Sequence, residues 1–395
     1  MAAVRRSLGY RRYVLSLQYH GSSFLGFSWQ RDRENAIASD GTDLRGYHSV
    51  EGRLRQALGD LTEGSYENIQ VSSRTDSGVH ALKNTCHVDI RSDSLNTHNI
   101  HQGLNFYLSG QTVGTSHGLA SNVWVSRSRN GRREGSYFTL GNNWVRHSPM
   151  NELRILAVQQ APEQMDNPSY DASNNTSSSS NNNTDPTIRQ QPATVDWNAR
   201  FSATQRTYIY RILHSVVTQH VDWAAPFEWD RSWRVVDRQP LNAPAMQRAA
   251  ACLIGTHDFS SFRSTGCQRL VPVVTLSKVF IYSQPYGPPT SWDSGTPTSS
   301  TTVSGSGEHG GLLGLGATGA PDSTCQLVTV VVTGKSFLYR QVRNMVGCLV
   351  AVGRGRLDET DVEPILKSRD RTRAPGAAPA HGLYLVDVQH GDFVI

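Results

Sequence analysis

Hydrophobic and polar positions alternate from Tyr13 to Tyr19, the period of a half-buried strand. From Ser49 the spacing changes. Val50, Leu54, Leu58 and Leu61 recur every three or four residues, and Ser49 stands where an N-cap belongs. Short strands are predicted around 69–72 and 84–90, a helix near 95–108 and a strand at 153–158. The second half repeats the series. Thr207–Leu213 reads as a strand, Ala243–Ile254 as a helix, and Val273–Tyr282 and Gln326–Val332 as strands. Phe337–Val352 reads as a helix with Leu338, Val342, Met345, Val346 and Leu349 on one face, and Leu383–Val388 as a closing strand. Tyr208 and Tyr210 are assigned to opposite faces of their strand, one for a cleft and one for the core.

Each half therefore runs β-α-β-β-α-β, the ferredoxin-like order. The expected class is α+β: two ferredoxin-like halves with antiparallel sheets, helices on the outer faces and a central cleft suited to a site. The expected division is a basic tail at 1–12, an N-terminal half at 13–162, a low-complexity insert at 163–194 and a C-terminal half at 195–395. A further insert falls at about 284–324. The 163–194 run contains SNNTSSSSNNNTDPT, and 284–324 is rich in Gly, Pro, Ser and Thr. Neither buries enough apolar surface to offset its ordering entropy. The stretch 121–147 carries Arg127, Arg129, Arg132, Arg133 and Arg146 against Glu134 alone. It reads either as a basic arm on phosphates or as a solvated insertion.

Composition narrows the classes. In 395 residues, 37% are apolar and 18% charged, so a sizeable core is available. The 38 Lys and Arg exceed the 33 Asp and Glu, a net charge of +5 that permits a polyanionic partner. No run of 18 apolar residues occurs, which excludes a transmembrane helix and with it a membrane partner. The 5 Cys are scattered at 86, 252, 267, 325 and 348, against both a disulfide framework and a Cys-rich zinc site. Arg5, Arg6, Arg11 and Arg12 precede the first acid, Asp32, which resembles the start of a mitochondrial presequence. With the first strand starting at Tyr13, about a dozen residues are removable.

The chemistry concentrates in VSSRTDSGVHAL, residues 71–82, between two predicted strands. A Ser- and Gly-rich loop with Asp76 two residues after Arg74 can present an ionised carboxylate as a nucleophile, its pKa held down by the neighbouring cation. The same residues also read as an Asp turn cap with a salt bridge.

RTDSGVHA resembles the RTDAGVHA signature of the TruA family of tRNA pseudouridine synthases. SLQYHGSSFLGF (16–27), ARFSATQRTYIYRI (199–212), LIGTHDFSSF (253–262), FLYRQVRNMVGCLVAVG (337–353) and HGLYLVDV (381–388) resemble further blocks of that family, in order and across nearly the whole chain. THDFSSF, SFLYRQVR and APAHGLYL are most similar to its animal branch, tRNA pseudouridine synthase-like protein 1.

The resemblance implies roles. Asp76 matches the catalytic aspartate, and Arg74 an arginine that holds the flipped nucleotide and its backbone. Tyr208 matches the tyrosine that stacks on the flipped base, Arg343 the arginine that pairs with the carboxylate, and Leu383 an apolar residue of the base pocket. The implied partner is tRNA or other structured RNA, mRNA included, and a homodimer is implied from bacterial members. Pseudouridine formation breaks N1–C1′ and rejoins the uracil through C5 with no net redox change, so no cofactor is expected. The carboxylate adds to C6 or acts at C1′, and the sequence leaves both open. The base must first leave its stack, for which an aromatic platform and a cationic clamp are suited.

Departures from the pattern are Ser73 for Gly, Ser77 for Ala, His20 for an acid, and FSWQ at 27–30 for GWQRQ. His98 and His101 lie three apart on a predicted helix without a third ligand nearby, so no metal is expected. His257 and Asp258 read as a turn cap rather than an acid–base pair. Two alternatives remain at this stage. A non-catalytic RNA-binding protein of the same fold would have no use for Asp76, Tyr208 and Arg343 together. A two-carboxylate nucleoside hydrolase would need a second acid near Asp76.

Overall fold

The computed structural model describes residues 8–29, 49–109, 137–140, 143–146, 152–166, 194–216, 228–286 and 325–395. The basic stretch from 121 to 136 and the low-complexity runs at 167–193 and 287–324 lie outside the described residues. Two short ribbons pair Tyr137–Leu140 with Asn143–Arg146 and Gln164–Asp166 with Thr194–Asp196. The second joins the two ends of a run expected to be structureless throughout. The chain divides into two units: residues 1–207 with 384–395, and residues 208–383.

In the first unit the elements are β1 (Tyr10–Tyr19), α1 (Val50–Thr62), β2 (Tyr66–Val71), β3 (His80–Arg91), α2 (Thr97–Leu108) and β4 (Leu153–Gln160). The sheet order is β2-β3-β1-β4, every neighbour antiparallel. This is the ferredoxin-like arrangement that the element order predicts. The Ser49 hydroxyl accepts from Gly52 N at 3.0 Å and caps α1, which buries Val50, Leu54, Ala57 and Leu58. The Asn96 side chain caps α2 in the same way, accepting from Asn99 N at 2.8 Å.

β1 starts three residues earlier than its alternation suggests, at Tyr10 rather than Tyr13. Arg12 therefore belongs to the sheet and not to a tail. Its guanidinium donates to both Asp89 oxygens at 2.6 and 2.8 Å and to Trp197 O at 2.6 Å. Burial works against the Asp89 carboxylate, yet hydrogen bonds from Arg12 and Asn68 hold its pKa below the usual value. An arginine paired inside the fold breaks the simple alternation, which is why the pattern placed the strand too late.

The second unit contains most of β5 (Gln205–Val216), then β6 (Trp233–Asp237), α3 (Ala243–Ala250), β7 (Gly255–Asp258), β8 (Val273–Pro285), β9 (Cys325–Gly334), α4 (Gln341–Gly353) and α5 (Val362–Ser368). The order is β7-β8-β9-β5, with β6 parallel to β5. The closing strand β10 (Leu383–Gln389) pairs with β3, Tyr384 opposite His80 and Leu385 opposite Ala81. Tyr208 and Tyr210 share a face of β5, since residues two apart on a strand point the same way, and both are buried. The assignment to opposite faces is corrected accordingly.

Helix α4 begins at Gln341, not Phe337, because Arg340 takes a left-handed φ of 57°. The Gln341 side chain then accepts from Leu338 N at 2.8 Å and closes the helix entry. Leu338 stays buried although it lies outside the helix. α4 is buried on nearly all sides, and its polar Asn344 is satisfied: it donates to Phe262 O at 2.7 Å and accepts from Arg371 at 3.0 Å.

Both histidine segments make local hydrogen bonds. A ring nitrogen of His101 lies 3.1 Å from Ile155 O. Asp258 accepts from Ser260 N at 2.9 Å and caps the turn after β7. All five cysteines are free, and among the described residues no helix is long and apolar enough to cross a membrane.

Gly347 shows how tightly α4 is held. A Cβ there would lie 2.0 Å from the Gly376 carbonyl oxygen, a backbone atom that cannot move aside cheaply. The strap that carries Gly376 is also tied to the helix at Arg343, which donates from Nε to Ala378 O at 2.8 Å and accepts at its own carbonyl from Ala378 N at 3.0 Å. Gly347→Ala is expected to destabilise the protein by about 1–3 kcal/mol. A lowered urea midpoint checks this, and an unchanged midpoint would show that the strap yields.

Candidate active site

The loop Ser72–Val79 joins β2 to β3, and its residues divide by environment. Ser72, Ser73, Thr75 and Val79 are buried, Arg74 and Ser77 are exposed, and Asp76 is half-buried. The turn at its tip closes with Val79 N donating to Asp76 O at 3.1 Å, with Gly78 at φ +80°. The buried positions fix the loop, while Arg74 is exposed and Asp76 stays half-buried two residues on.

Three distant segments supply the anchors. From β3, Thr85 O accepts from Ser72 N at 2.9 Å, and Asn84 Nδ2 donates to Ser73 O at 2.8 Å. From β1 and the turn after it, the Tyr19 hydroxyl pairs with the Thr75 hydroxyl at 2.8 Å, and Phe27 N donates to Thr75 O at 3.0 Å. From the start of β5, buried Arg206 donates to Ser72 O at 2.7 Å and to Ala203 O at 3.3 Å. The turn at Gly21 must lie flat against the loop: a Cβ there would stand 2.0 Å from Val79 O.

These contacts explain the departures from the family pattern. The Ser77 hydroxyl donates to Phe24 O at 3.3 Å, so it tightens the loop. Ser73 is buried with its carbonyl bonded, so a small side chain suffices there. His20 packs its ring 4.7 Å from that of His80, which stacks on Tyr384 at 4.5 Å. The imidazole thus exchanges an acid's charge for ring packing. His80 itself accepts from Gly21 N at Nδ1, 3.0 Å away, which marks it as a brace for the turn.

His390, with Arg206 and Asn84, is a residue that sequence reasoning missed. Its Nε2 lies 2.6 Å from the Thr85 hydroxyl and 3.4 Å from that of Ser72, and its Nδ1 lies 2.8 Å from the Ser202 hydroxyl. The Ser72 and Thr85 hydroxyls also bond each other. His390 therefore sits directly behind the start of the Asp76 loop. Burial, then the nearby Arg206 charge, pushes its imidazole down to about 4. Asp387 pulls the other way, and Lys83 adds to the depression. Its only sequence signal is a histidine just past the final strand.

Of the residues singled out from sequence, Arg74 and Asp76 come together in this one loop. Tyr208, Arg343 and Leu383 fall in the second unit. Tyr208 is 7% exposed and meets Phe337 edge-on, with ring centres 5.0 Å apart. Leu383 is buried at the start of β10, and Arg343 is half-buried with its Nε on Ala378 O. Tyr210 donates to Pro379 O at 2.8 Å. Burial raises its phenol well above the usual value, with the Arg343 charge opposing, so it serves as a structural post.

A family profile described as tRNA pseudouridine synthase matches residues 249–390. Proteins named tRNA pseudouridine synthase A are similar over most of the chain. The one from Xanthobacter autotrophicus is 27% identical over 379 residues, covering 96% of this chain and 99% of the relative. The one from Maricaulis maris is 28% identical over 381 residues, covering 96% and 98%. That of Erythrobacter litoralis is 36% identical over 197 residues, 49% of this chain and 60% of the relative.

The His390 pKa makes a prediction about stability. Its folded value of about 4 lies below the unfolded value of 6.5, so between the two the unfolded chain binds the extra proton. The contribution is present above about pH 6.5 and is lost as pH falls toward 4, amounting to about 3 kcal/mol. His390→Gln should flatten the pH dependence of unfolding across that window. Urea titrations at several pH values check this, and parallel slopes for both proteins would remove His390 as the titrating group.

Proposed function

We infer that this chain, which belongs to the TruA-type tRNA pseudouridine synthase family, isomerises uridine to pseudouridine in RNA, with tRNA as the substrate class. The observation that carries this reading is the Asp76 loop. Asp76 is half-buried in a segment whose neighbours Ser72, Ser73 and Thr75 are buried and hydrogen-bonded. It does so in a sequence that aligns almost end to end with proteins named tRNA pseudouridine synthase A.

In this reading Asp76 is the nucleophile. The N1–C1′ bond breaks, the uracil turns, and C5–C1′ forms. C5 loses its proton and N1 regains one, so the product is an isomer and nothing is oxidised or reduced. The restrained loop keeps the carboxylate aimed, and Arg74 offers a guanidinium to the nucleotide backbone. Tyr208 is assigned the base platform, Arg343 the cation that keeps the carboxylate ionised, and Leu383 the apolar lining. What supports these three is their match to the family motifs and, for Arg343, a side chain steered by Ala378 O.

The finer features go with the same reading. The blocks THDFSSF, SFLYRQVR and APAHGLYL support the animal tRNA pseudouridine synthase-like protein 1 branch. Arg5 and Arg6, the two arginines that precede β1, support mitochondrial localisation, which imaging of a C-terminal fusion tests. A homodimer is tested by light scattering.

Asp76→Ala should fold and bind tRNA while its single-turnover rate falls by roughly 10⁴-fold or more. Tyr208→Phe keeps the ring and should bind nearly normally but turn over roughly 10²-fold more slowly. Tyr208→Ala should also lose about 1–3 kcal/mol of stacking. Pseudouridine quantified in an unmodified tRNA transcript is the measurement. Near wild-type turnover by Asp76→Ala would remove the nucleophile assignment.

A further inference from the structure

A cleft of about 220 Å³ opens beside the Asp76 loop, wholly within the first unit, and three guanidiniums line it: Arg55 from α1, Arg74 from the loop and Arg200 from the segment before β5. Among the described residues the only carboxylate in its lining is Glu51. Glu51 is already committed. Its Oε1 accepts from Arg55 Nε at 3.0 Å and Nη2 at 2.7 Å, and its Oε2 accepts from Trp29 N at 3.0 Å. It thereby holds Arg55 and Trp29 as a pair, with the guanidinium 5.2 Å from the indole centre. Arg74 and Arg200 have no carboxylate partner among the described residues.

The aromatic rings at the rim point to the same kind of ligand. Trp29 is 45% exposed and Phe201 is 59% exposed. Each lies beside one of the cleft arginines, Arg55 with Trp29 and Arg200 with Phe201 at 5.7 Å. Large apolar rings left in water next to cations that face one recess form the combination that grips a single-stranded nucleic acid. The cations take phosphates, and the rings take bases on their faces.

We propose that this cleft holds the phosphate backbone of the RNA strand flanking the target uridine, with Arg55, Arg74 and Arg200 on the phosphates and Trp29 and Phe201 as platforms for adjacent bases. The proposal rests on reading the chain as an RNA-modifying enzyme and assigns the strand a path. Arg74 is two residues from Asp76, so a phosphate on Arg74 places its nucleotide at the nucleophile. It also gives a role to FSWQ at 27–30, one of the departures from the family pattern. These are positioning residues, acting on affinity and register.

The test is fluorescence anisotropy with an end-labelled, unmodified tRNA transcript between about 50 and 300 mM salt, together with single-turnover pseudouridine formation. Arg55→Gln and Arg200→Gln should each weaken binding severalfold and reduce the slope of log affinity against log salt by about one. Arg55→Lys keeps the charge and should restore most of the slope. Trp29→Ala should weaken binding about fivefold or more, with Trp29→Phe recovering part. Saturating rates should fall by less than the affinities do. If Arg55 only staples α1 to Trp29, Arg55→Gln will lower the thermal midpoint and leave the salt slope unchanged, which overturns the proposal. Unchanged affinity and slope in both arginine variants overturn it too, even while the wild type makes pseudouridine. If the variants lose binding as expected but the wild type modifies no transcript, the cleft stands and the enzymatic reading fails. A wild type that does not bind RNA sinks both.

Discussion

The hydrogen bonds that fix Ser72, Ser73 and Thr75 are buried, and burial is what makes them firm. In water such bonds exchange with solvent at little cost. Inside the fold, losing one leaves a desolvated carbonyl or amide without a partner, a cost of about 1–3 kcal/mol. The residues that carry no chemistry therefore hold still, and the ones between them are less buried. Asp76 inherits its position from this alternation. The anchors come from β1, from β3 and from the start of β5, so the loop is fixed only once those elements have assembled. A local turn could not do this alone, since the bonds that fix Ser72, Ser73 and Thr75 come from residues distant in sequence.

Much of the fold was legible because burial imposes a period. Val50, Leu54 and Leu58 face inward on α1, and the six-element order of the first half reappears as the β2-β3-β1-β4 sheet. What escaped lies where a buried polar or strained residue interrupts the period. Arg12 looks like tail but is paired with Asp89, so β1 reaches back to Tyr10. Arg340 adopts a left-handed conformation, so α4 starts late although the apolar spacing runs on from Leu338. Tyr208 and Tyr210 were split between faces that the geometry of a strand makes one. The pairing of β10 with β3 joins positions 304 residues apart at Tyr384 and His80, and no local pattern announces it.

The site was legible to a different degree. Arg74 and Asp76 stand in one short motif, so their proximity could be read directly. The residues that hold them, Asn84, Arg206 and His390, had no signal of their own. Asn84 sits in an ordinary strand, Arg206 resembles a surface charge, and His390 follows the last strand. Each became significant only through its partner. His390 is the clearest instance, because its neutral ring can accept at one nitrogen and donate at the other, which lets it join Thr85 to Ser202. An ionised ring would have two donors and no acceptor, and the proton would have to enter beside Arg206. The depressed pKa comes first from burial and then from the Arg206 charge.

An enzyme that brings a carboxylate to a polyanion has to offset a repulsion of its own making. At about 4 Å, two unit charges near a protein surface interact by roughly 4 kcal/mol, enough to turn a phosphate aside. The arrangement around Asp76 meets this by separating two tasks. The acid that could add to the repulsion, Glu51, is neutralised by Arg55 and by the Trp29 amide, so it orients groups without projecting a field. Arg74 and Arg200 keep their charge for the cleft. A strand drawn in by those cations arrives along a positive wall and reaches the loop whose one acid is Asp76. Selectivity for a nucleotide over a free base follows. The free base gains nothing from the arginines, whereas the nucleotide gains its position from them before the carboxylate acts.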